Sequence, residues 1–300
     1  VVTAEENAYA RAVLSKAGRE NFPVAPRFLP RSWRDDLMAV YGFARLVDDI
    51  GDSDLESPHT HALALGLPPD QAHDPLAMLD AFEADVRRVF TRTGTEPGHP
   101  LLQALVPTVR RRELTPDPFL ALIEANRQDQ KVRRYATYAD LLAYCELSAN
   151  PVGHLVLALT DTATPERVRR SDAVCTALQI VEHLQDVAED LARDRIYIPA
   201  QDMDRFRVDE ADLAAPTANA SVRTLIAFEA ERAQGLLDEG MPLVRSVHGR
   251  LRLLLAGFTG GGRAAVGALR AARYDVLAGA PKAGAPRVLR AALASLRGEG

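Results

Sequence analysis

The chain has 300 residues, 47% of them hydrophobic and 26% charged, the composition of an ordinary soluble globular protein. A net charge of −5 and a pI near 5.9 leave no general electrostatic footprint for nucleic acid, so no nucleic-acid partner is expected. No stretch approaches the ~18 uninterrupted apolar residues of a spanning helix, the start VVTAEENAYARAV has neither the basic nor the apolar region of a secretory signal, and two cysteines, Cys145 and Cys175, make no disulfide framework; a reduced, cytoplasmic setting is expected.

Helical periodicity dominates and strand-like alternation is almost absent. Abundant alanine, leucine and arginine with short β-branched runs point the same way. The spacing predicts helices over 3–18, 32–51, 74–93, 98–110, 116–127, 137–146, 150–161, 165–192, 209–213, 219–246, 248–257, 261–278 and 284–297. Loops rich in Pro, Gly and His fall at 54–73 and 94–100, with shorter breaks at 113–117 and 199–208. None of these resembles a long flexible linker, so residues 1–300 read as a single all-α domain. The run GFTGGGRAAVG follows no strand and lacks GxGxxG, so no nicotinamide site is read there. In the tail APKAGAPRVLRAALASLRGEG, Lys282, Arg287, Arg290 and Arg297 surround Val288, Leu289, Ala292, Leu293 and Leu296. That pattern suits a solvated terminal helix or one lying on a membrane surface as a peripheral contact.

Two segments, LVDDIGD (46–52) and LQDVAED (184–190), carry Asp-x-x-x-Asp inside a helical pattern. In the first helix, Leu37, Val40, Ala44 and Val47 form a core stripe, and Tyr41, Arg45, Asp48 and Asp52 lie one residue on. Spacing of four puts Asp48 and Asp52 on one face, one turn apart; Asp49 is expected to point elsewhere, towards the periphery. In the second, Ile180, Leu184, Val187 and Leu191 are apolar, while Gln179, Glu182, Asp186 and Asp190 form a polar line about 100° away. Facing across a bundle, these lines would place four or five carboxylates around one cavity mouth. Carboxylates so close repel unless cations bind or some are protonated. Hard divalent cations suit oxygen ligands, and Mg²⁺ takes one or two carboxylates together with substrate phosphates. The metal candidates are therefore Asp48, Asp52, Glu182, Asp186 and Asp190, with Mg²⁺ as cofactor. No His/Cys cluster suggests zinc; His183 lies beside the acidic line without an i+4 histidine.

DDIGD alone also matches the DDxxD of chain-elongating prenyl transferases and terpene cyclases. As a pair, the two motifs resemble those of the squalene/phytoene synthase family, which performs head-to-head prenyl condensations. YGFAR (41–45), YCELSANPVG (144–153) and QIVEHLQDVAEDLARDRIYIP (179–199) are similar to further family blocks, and the likeness extends over roughly 10–278. ENFPVA (20–25), SANPVG (148–153) and RYDVL (273–277) resemble its hydroxysqualene synthase branch, from bacterial hopanoid pathways. The resemblance implies an isoprenoid synthase-type helical bundle around a central apolar cavity. It implies an enzyme that takes presqualene diphosphate, releases diphosphate, rearranges the carbocation and captures it with water. Presqualene diphosphate synthases working on farnesyl diphosphate, and phytoene and dehydrosqualene synthases, are the alternatives, followed by a non-catalytic binder of prenyl diphosphate or divalent cations. Pathway partner enzymes are a further expectation.

On this reading Asp48, Asp52, Asp186, Asp190 and Tyr144 are the catalytic candidates, Tyr144 by its match to a functional tyrosine of the family. Arg45 and Arg195 are candidate diphosphate clamps, since guanidinium forks match phosphate oxygens, and Lys131, Arg133 and Arg134 form a second basic cluster. Tyr41, Tyr197 and Tyr274, with Tyr144, would orient diphosphate or stabilise cations. Asn150 and Gln179 would position water or diphosphate, and Asp129 adds a polar contact. Phe22, Phe28, Phe43, Val152 and Leu155 are wall candidates, Phe22 and Phe43 through their ring faces. Much of the family has asparagine where this chain has Glu182; glutamate also ligates metal and adds a charge.

Overall fold

A computed structural model describes residues 24–91 and 94–297. The expected helix at 3–18 and the candidate Phe22 lie outside them. Among the described residues the fold is all-α: no strand forms, and a parallel bridge between Arg134 and Ile196 is the one β-type pairing. The chain divides into two compact units, residues 1–131 with 154–163, and 132–153 with 164–300.

The first unit contains α1 (Arg31–Gly51), α2 (Pro58–Ala64), α3 (Pro75–Phe90), α4 (Pro100–Arg112) and α5 (Asp117–Lys131). Proline opens α2, α3 and α4, where its missing N–H costs nothing. Asp74 caps α3 by accepting from the Leu76 and Ala77 amides, and His99 caps α4 through the Leu101 amide. At the centre Phe43 stacks on Phe82 with centroids 5.5 Å apart and meets Phe119 edge-on at 4.9 Å. All three rings are fully buried, so Phe43 is part of the packing between α1, α3 and α5. Asp36, also fully buried, is matched by Thr108, Arg111 and Arg112 from α4. A buried histidine pair, His61 Nδ1 to His99 Nε2 at 3.0 Å, ties α2 to the start of α4.

The second unit contains α6 (Tyr138–Ser148), the first residues of α7 (Asn150–Leu159), then α8 (Pro165–Gln185), α9 (Val187–Ala192), α10 (Ala200–Phe206), α11 (Glu210–Leu213), α12 (Ala220–Gly240), α13 (Pro242–Ser246), α14 (Gly249–Ala271) and α15 (Ala285–Arg297). A full capping box starts α6: Thr137 accepts from the Asp140 amide and Asp140 returns the bond. The long helices α8, α12 and α14 pack on one another, and α15 lies along α14.

Five expectations change. The segment 54–73, expected as loop, holds α2 and a 3₁₀ turn at Pro69–Gln71, and 199–208 holds α10; prolines at or just before these starts, Pro58 at N1 of α2 and Pro199 at the N-cap of α10, read as readily as loop. The helix expected over 219–246 is divided at Met241, with Pro242 opening the short α13. The expected gap between 257 and 261 closes into the single helix α14. Gly262 is there for packing: a Cβ on it would lie 2.8 Å from Leu178 Cδ2 and 3.0 Å from Leu237 Cδ2. The helix expected over 165–192 breaks at Asp186, which sits between α8 and α9 at φ −105°, ψ 15°.

Candidate active site

The acidic end of α1 is organised by charge. Asp49 is the buried acid, 2% exposed, and Arg45 reaches it at 2.7 Å, one turn back. This corrects the expectation that Asp49 points to the periphery. A carboxylate so buried needs a partner, and the Arg45 that was expected on the Asp48 face supplies it. Asp48 and Asp52 are exposed on the adjoining face. Asn126 of α5 donates to Asp48 Oδ1 at 3.3 Å, and the Asp52 amide closes on the Asp48 carbonyl at 2.8 Å. Gly51 makes room for this contact: a Cβ there would stand 2.0 Å from Asn126 Oδ1. Gln130 donates to the Gly51 carbonyl at 2.8 Å, capping a helix end that three acids disfavour. Tyr41 is half-buried one helical turn before Arg45, and Asp129 is buried within α5.

The second acidic segment belongs to the other unit. Glu182 is exposed, and Asp186 and Asp190 are half-buried. The break at Asp186 keeps the helical pattern locally: the Asp186 amide reaches the Glu182 carbonyl at 3.0 Å, and the Asp190 amide reaches the Asp186 carbonyl at 2.8 Å. Burial, Asp190 and Glu189 raise the Asp186 pKa, and Lys282 and His183 pull it back. Burial first, and neighbouring negative charge second, thus resist ionisation at a group that a cation would relieve. Gln185 donates to the Pro281 carbonyl, which brings the chain before α15 against this segment and explains the influence of Lys282.

Around Asp190 lies an aromatic group. His183 stacks on Tyr197 with centroids 3.7 Å apart and planes 11° apart, and its Nδ1 is 3.8 Å from Asp190 Oδ2. Gln179 lies 3.1 Å from the other ring nitrogen. Tyr144 and Tyr135 pack beside Tyr197 at 5.5 and 5.7 Å. His183, Asp190, Arg195 and Tyr197 line a small recess, where the Arg195 amide also bonds the Asp190 carbonyl at 2.8 Å. The structure therefore brings Gln179, Asp190, Tyr144, Arg195 and Tyr197 together.

Other expected residues fall elsewhere. Asn150 is buried and accepts from Thr176 at 3.0 Å, linking α7 to α8. Tyr274 follows α14 in left-handed backbone (φ 58°) and takes no part in the aromatic group. Arg134 is committed to Asp194 and Glu210 at 2.9 and 2.7 Å, and Arg133 to the Arg193 carbonyl, so these two brace a loop. Phe28 and Val152 are 43% and 42% exposed, while Leu155 is buried. His183, Tyr135 and Asn126 are the participants that sequence reasoning left out of the site. Tyr135 arrives because the Ile196 amide pairs with the Arg133 carbonyl and the Ala200 amide with that of Tyr135, a long-range pairing with no local signal. Asn126, 78 residues from Asp48 along the chain, likewise carries no local signal.

Among the described residues no three His, Cys, Asp or Glu side chains converge into a ready-made metal cage. The donor set nevertheless fits a hard cation, because Mg²⁺ needs one or two carboxylates and completes its shell with water and substrate phosphate. Asp48 and Asp52 at the end of α1, and Asp186 at the start of α9 with Asp190 within it, are carboxylates of that kind.

An all-α chain with two such acidic segments has the features of an isoprenoid synthase. Residues 15–290 match the squalene/phytoene synthase family model, and the chain belongs to that family. It is 32% identical over 243 residues to a hydroxysqualene synthase of Zymomonas mobilis, covering 80% of this chain and 75% of the relative. A 15-cis-phytoene synthase of Synechococcus elongatus is 28% identical over 240 residues, 76% of this chain and 72% of the relative. The crystal structure of squalene synthase HpnC from Alicyclobacillus acidocaldarius superposes with a TM-score of 0.75 at 40% identity, over 91% of this chain and 97% of that one. Members of the family are enzymes acting on prenyl diphosphates, with a divalent metal assisting ionisation, and this chain is such an enzyme.

Proposed function

We propose that the enzyme is a Mg²⁺-dependent hydroxysqualene synthase, its residues 1–300 working as one catalytic domain. The observation that supports this most is the pair of carboxylate segments, Asp48/Asp52 and Asp186/Asp190, in a chain 32% identical to a hydroxysqualene synthase. In the proposed reaction the C–O bond of presqualene diphosphate breaks and diphosphate leaves with the bonding pair. The carbocation rearranges, water adds, and loss of one proton gives hydroxysqualene. Mg²⁺ held by Asp48, Asp52, Asp186 and Asp190, with Glu182 on the same line, would neutralise the leaving diphosphate.

The chain's own residues divide the remaining work. Arg195 lies beside Asp190 with a guanidinium suited to phosphate oxygens. Arg45 holds Asp49, and its half-exposed side chain is proposed to reach diphosphate as well. Tyr144 and Tyr197 offer ring faces to positive charge and hydroxyls to diphosphate. Tyr41, Tyr274, Asn150 and Phe22 keep their proposed roles in substrate binding, and Gln179 would act through its contact with His183. A cytoplasmic location with membrane contact is part of the proposal; among the described residues no helix is long and apolar enough to cross a membrane.

The phytoene synthase relative favours a second reading, head-to-head condensation of two prenyl diphosphates. Purified enzyme with Mg²⁺ and no NADPH would be offered presqualene, farnesyl or geranylgeranyl diphosphate and the lipids analysed by mass spectrometry. Hydroxysqualene from presqualene diphosphate is expected; turnover of farnesyl or geranylgeranyl diphosphate alone replaces the first reading by the second. Chelation by EDTA should stop turnover and added Mg²⁺ restore it; activity that survives EDTA removes the metal from the proposal.

A further inference from the structure

The last helix carries a surface that the proposed reaction does not use. It is held at close range, since a Cβ on Gly260 of α14 would lie 2.4 Å from the Ala292 amide nitrogen and 2.5 Å from its Cα. Arg252 donates to the Leu296 carbonyl at 2.7 Å, and Ser295 is fully buried. These contacts fix which side of α15 faces out. At about 100° per residue, Leu289, Leu293 and Leu296 fall on one flank and Arg287, Arg290 and Arg297 on the other. Leu289 is 63% exposed and Leu293 45%. Leu253, 45% exposed, follows the Arg252 that bonds Leu296, so it stands level with the last turn of α15. Between Asp275 and Glu299 the sequence holds no acidic residue. Among the described residues, no ion-pair partner is found for Arg287, Arg290 or Arg297.

We propose that this outward face of α15 docks on an anionic lipid bilayer, the leucine flank entering the headgroup–acyl boundary and the arginine flank meeting lipid phosphates. Two adjoining flanks of opposite character are what an interfacial helix needs. A nucleic acid would have no use for exposed leucines. A second copy using the same patch would bury the arginines of both copies in one interface to which α15 contributes no acidic residue. Charge and apolar exposure together therefore select the anionic bilayer. Docking would also place the segment at Pro281 and Lys282, which borders Asp186, next to the lipid phase. It holds whichever prenyl diphosphate is turned over.

Co-sedimentation of the full chain with phosphatidylcholine vesicles, with and without about one-third phosphatidylglycerol, tests it. Wild type should bind the anionic vesicles, weaken as salt rises, and largely ignore pure phosphatidylcholine. Leu289→Asp with Leu293→Asp should raise the lipid concentration for half-binding about ten-fold or more, while helicity and turnover of detergent-dispersed substrate stay unchanged. Arg287→Gln with Arg290→Gln and Arg297→Gln should lose the preference for anionic lipid. Failure of wild type to bind at low salt, or equal binding by the leucine variant, overturns the proposal. A concentration-dependent dimer that the leucine variant abolishes, without vesicle binding, overturns it in favour of a second copy.

Discussion

Acidification should weaken the first unit through its buried histidines. His61 and His99 are 1% and 2% exposed, and burial lowers their pKa values to about 4 and about 3. His99 Nδ1 accepts from the Leu101 amide, so its proton sits on Nε2 and points at His61 Nδ1. Protonating either ring would set two donors against each other in an apolar site. An unfolded histidine titrates near 6.5, so above that pH both states are neutral and stability is unaffected. Below it only the unfolded chain takes up protons, and stability falls until the folded values are reached. From pH 7 to pH 5 the loss is about 2 kcal/mol per histidine, roughly 4 kcal/mol for the pair. That is a large part of the 5–15 kcal/mol typical of a domain. Urea denaturation followed by circular dichroism at pH 7, 6 and 5 measures it. The control is His61→Leu with His99→Asn, where asparagine keeps a helix-capping acceptor. The difference between wild type and variant should shift by roughly 4 kcal/mol in the variant's favour as pH drops from 7 to 5. Parallel pH profiles would refute the neutral buried pair.

Two further outcomes follow from the acidic segments. Asp48→Asn and Asp186→Asn should each cut turnover by about 100-fold or more while far-UV circular dichroism is unchanged; near-wild-type activity in either variant ends the paired-metal proposal. Gly51→Ala should cost about 1–3 kcal/mol of stability by driving a methyl group into Asn126. Adding Asn126→Ala should recover most of it, as thermal melts would record, and no recovery would mean that Asn126 is not the obstacle.

The all-α class, the main helices and both acidic motifs were legible because each rests on local spacing. Asp48 and Asp52 share an exposed face as the four-residue period requires. What local spacing hid was set by contacts far along the chain. Asp49 became the buried acid because Arg45, one turn back, neutralises it inside the fold, a choice that periodicity alone assigned to the wrong residue. The glycine run of α14 read as a break because glycine is a poor helix former, yet close approach by α8, α12 and α15 requires it. The kink at Asp186 has no breaker in the sequence. Tyr135 and Tyr197 meet only because residues 133–136 pair with 196–201.

The Arg45–Asp49 pair also sets the stoichiometry of charge at the end of α1. DDIGD reads as three negative charges, but one is compensated inside the fold, leaving two on the open face. A single divalent cation would bring that face to electroneutrality without help from the protein's remaining arginines. Asp49→Asn would leave Arg45 uncompensated and reduce the face to one net negative charge. A buried residue outside the Asp48/Asp52 pair would thus govern how many metal cations the helix end can attract.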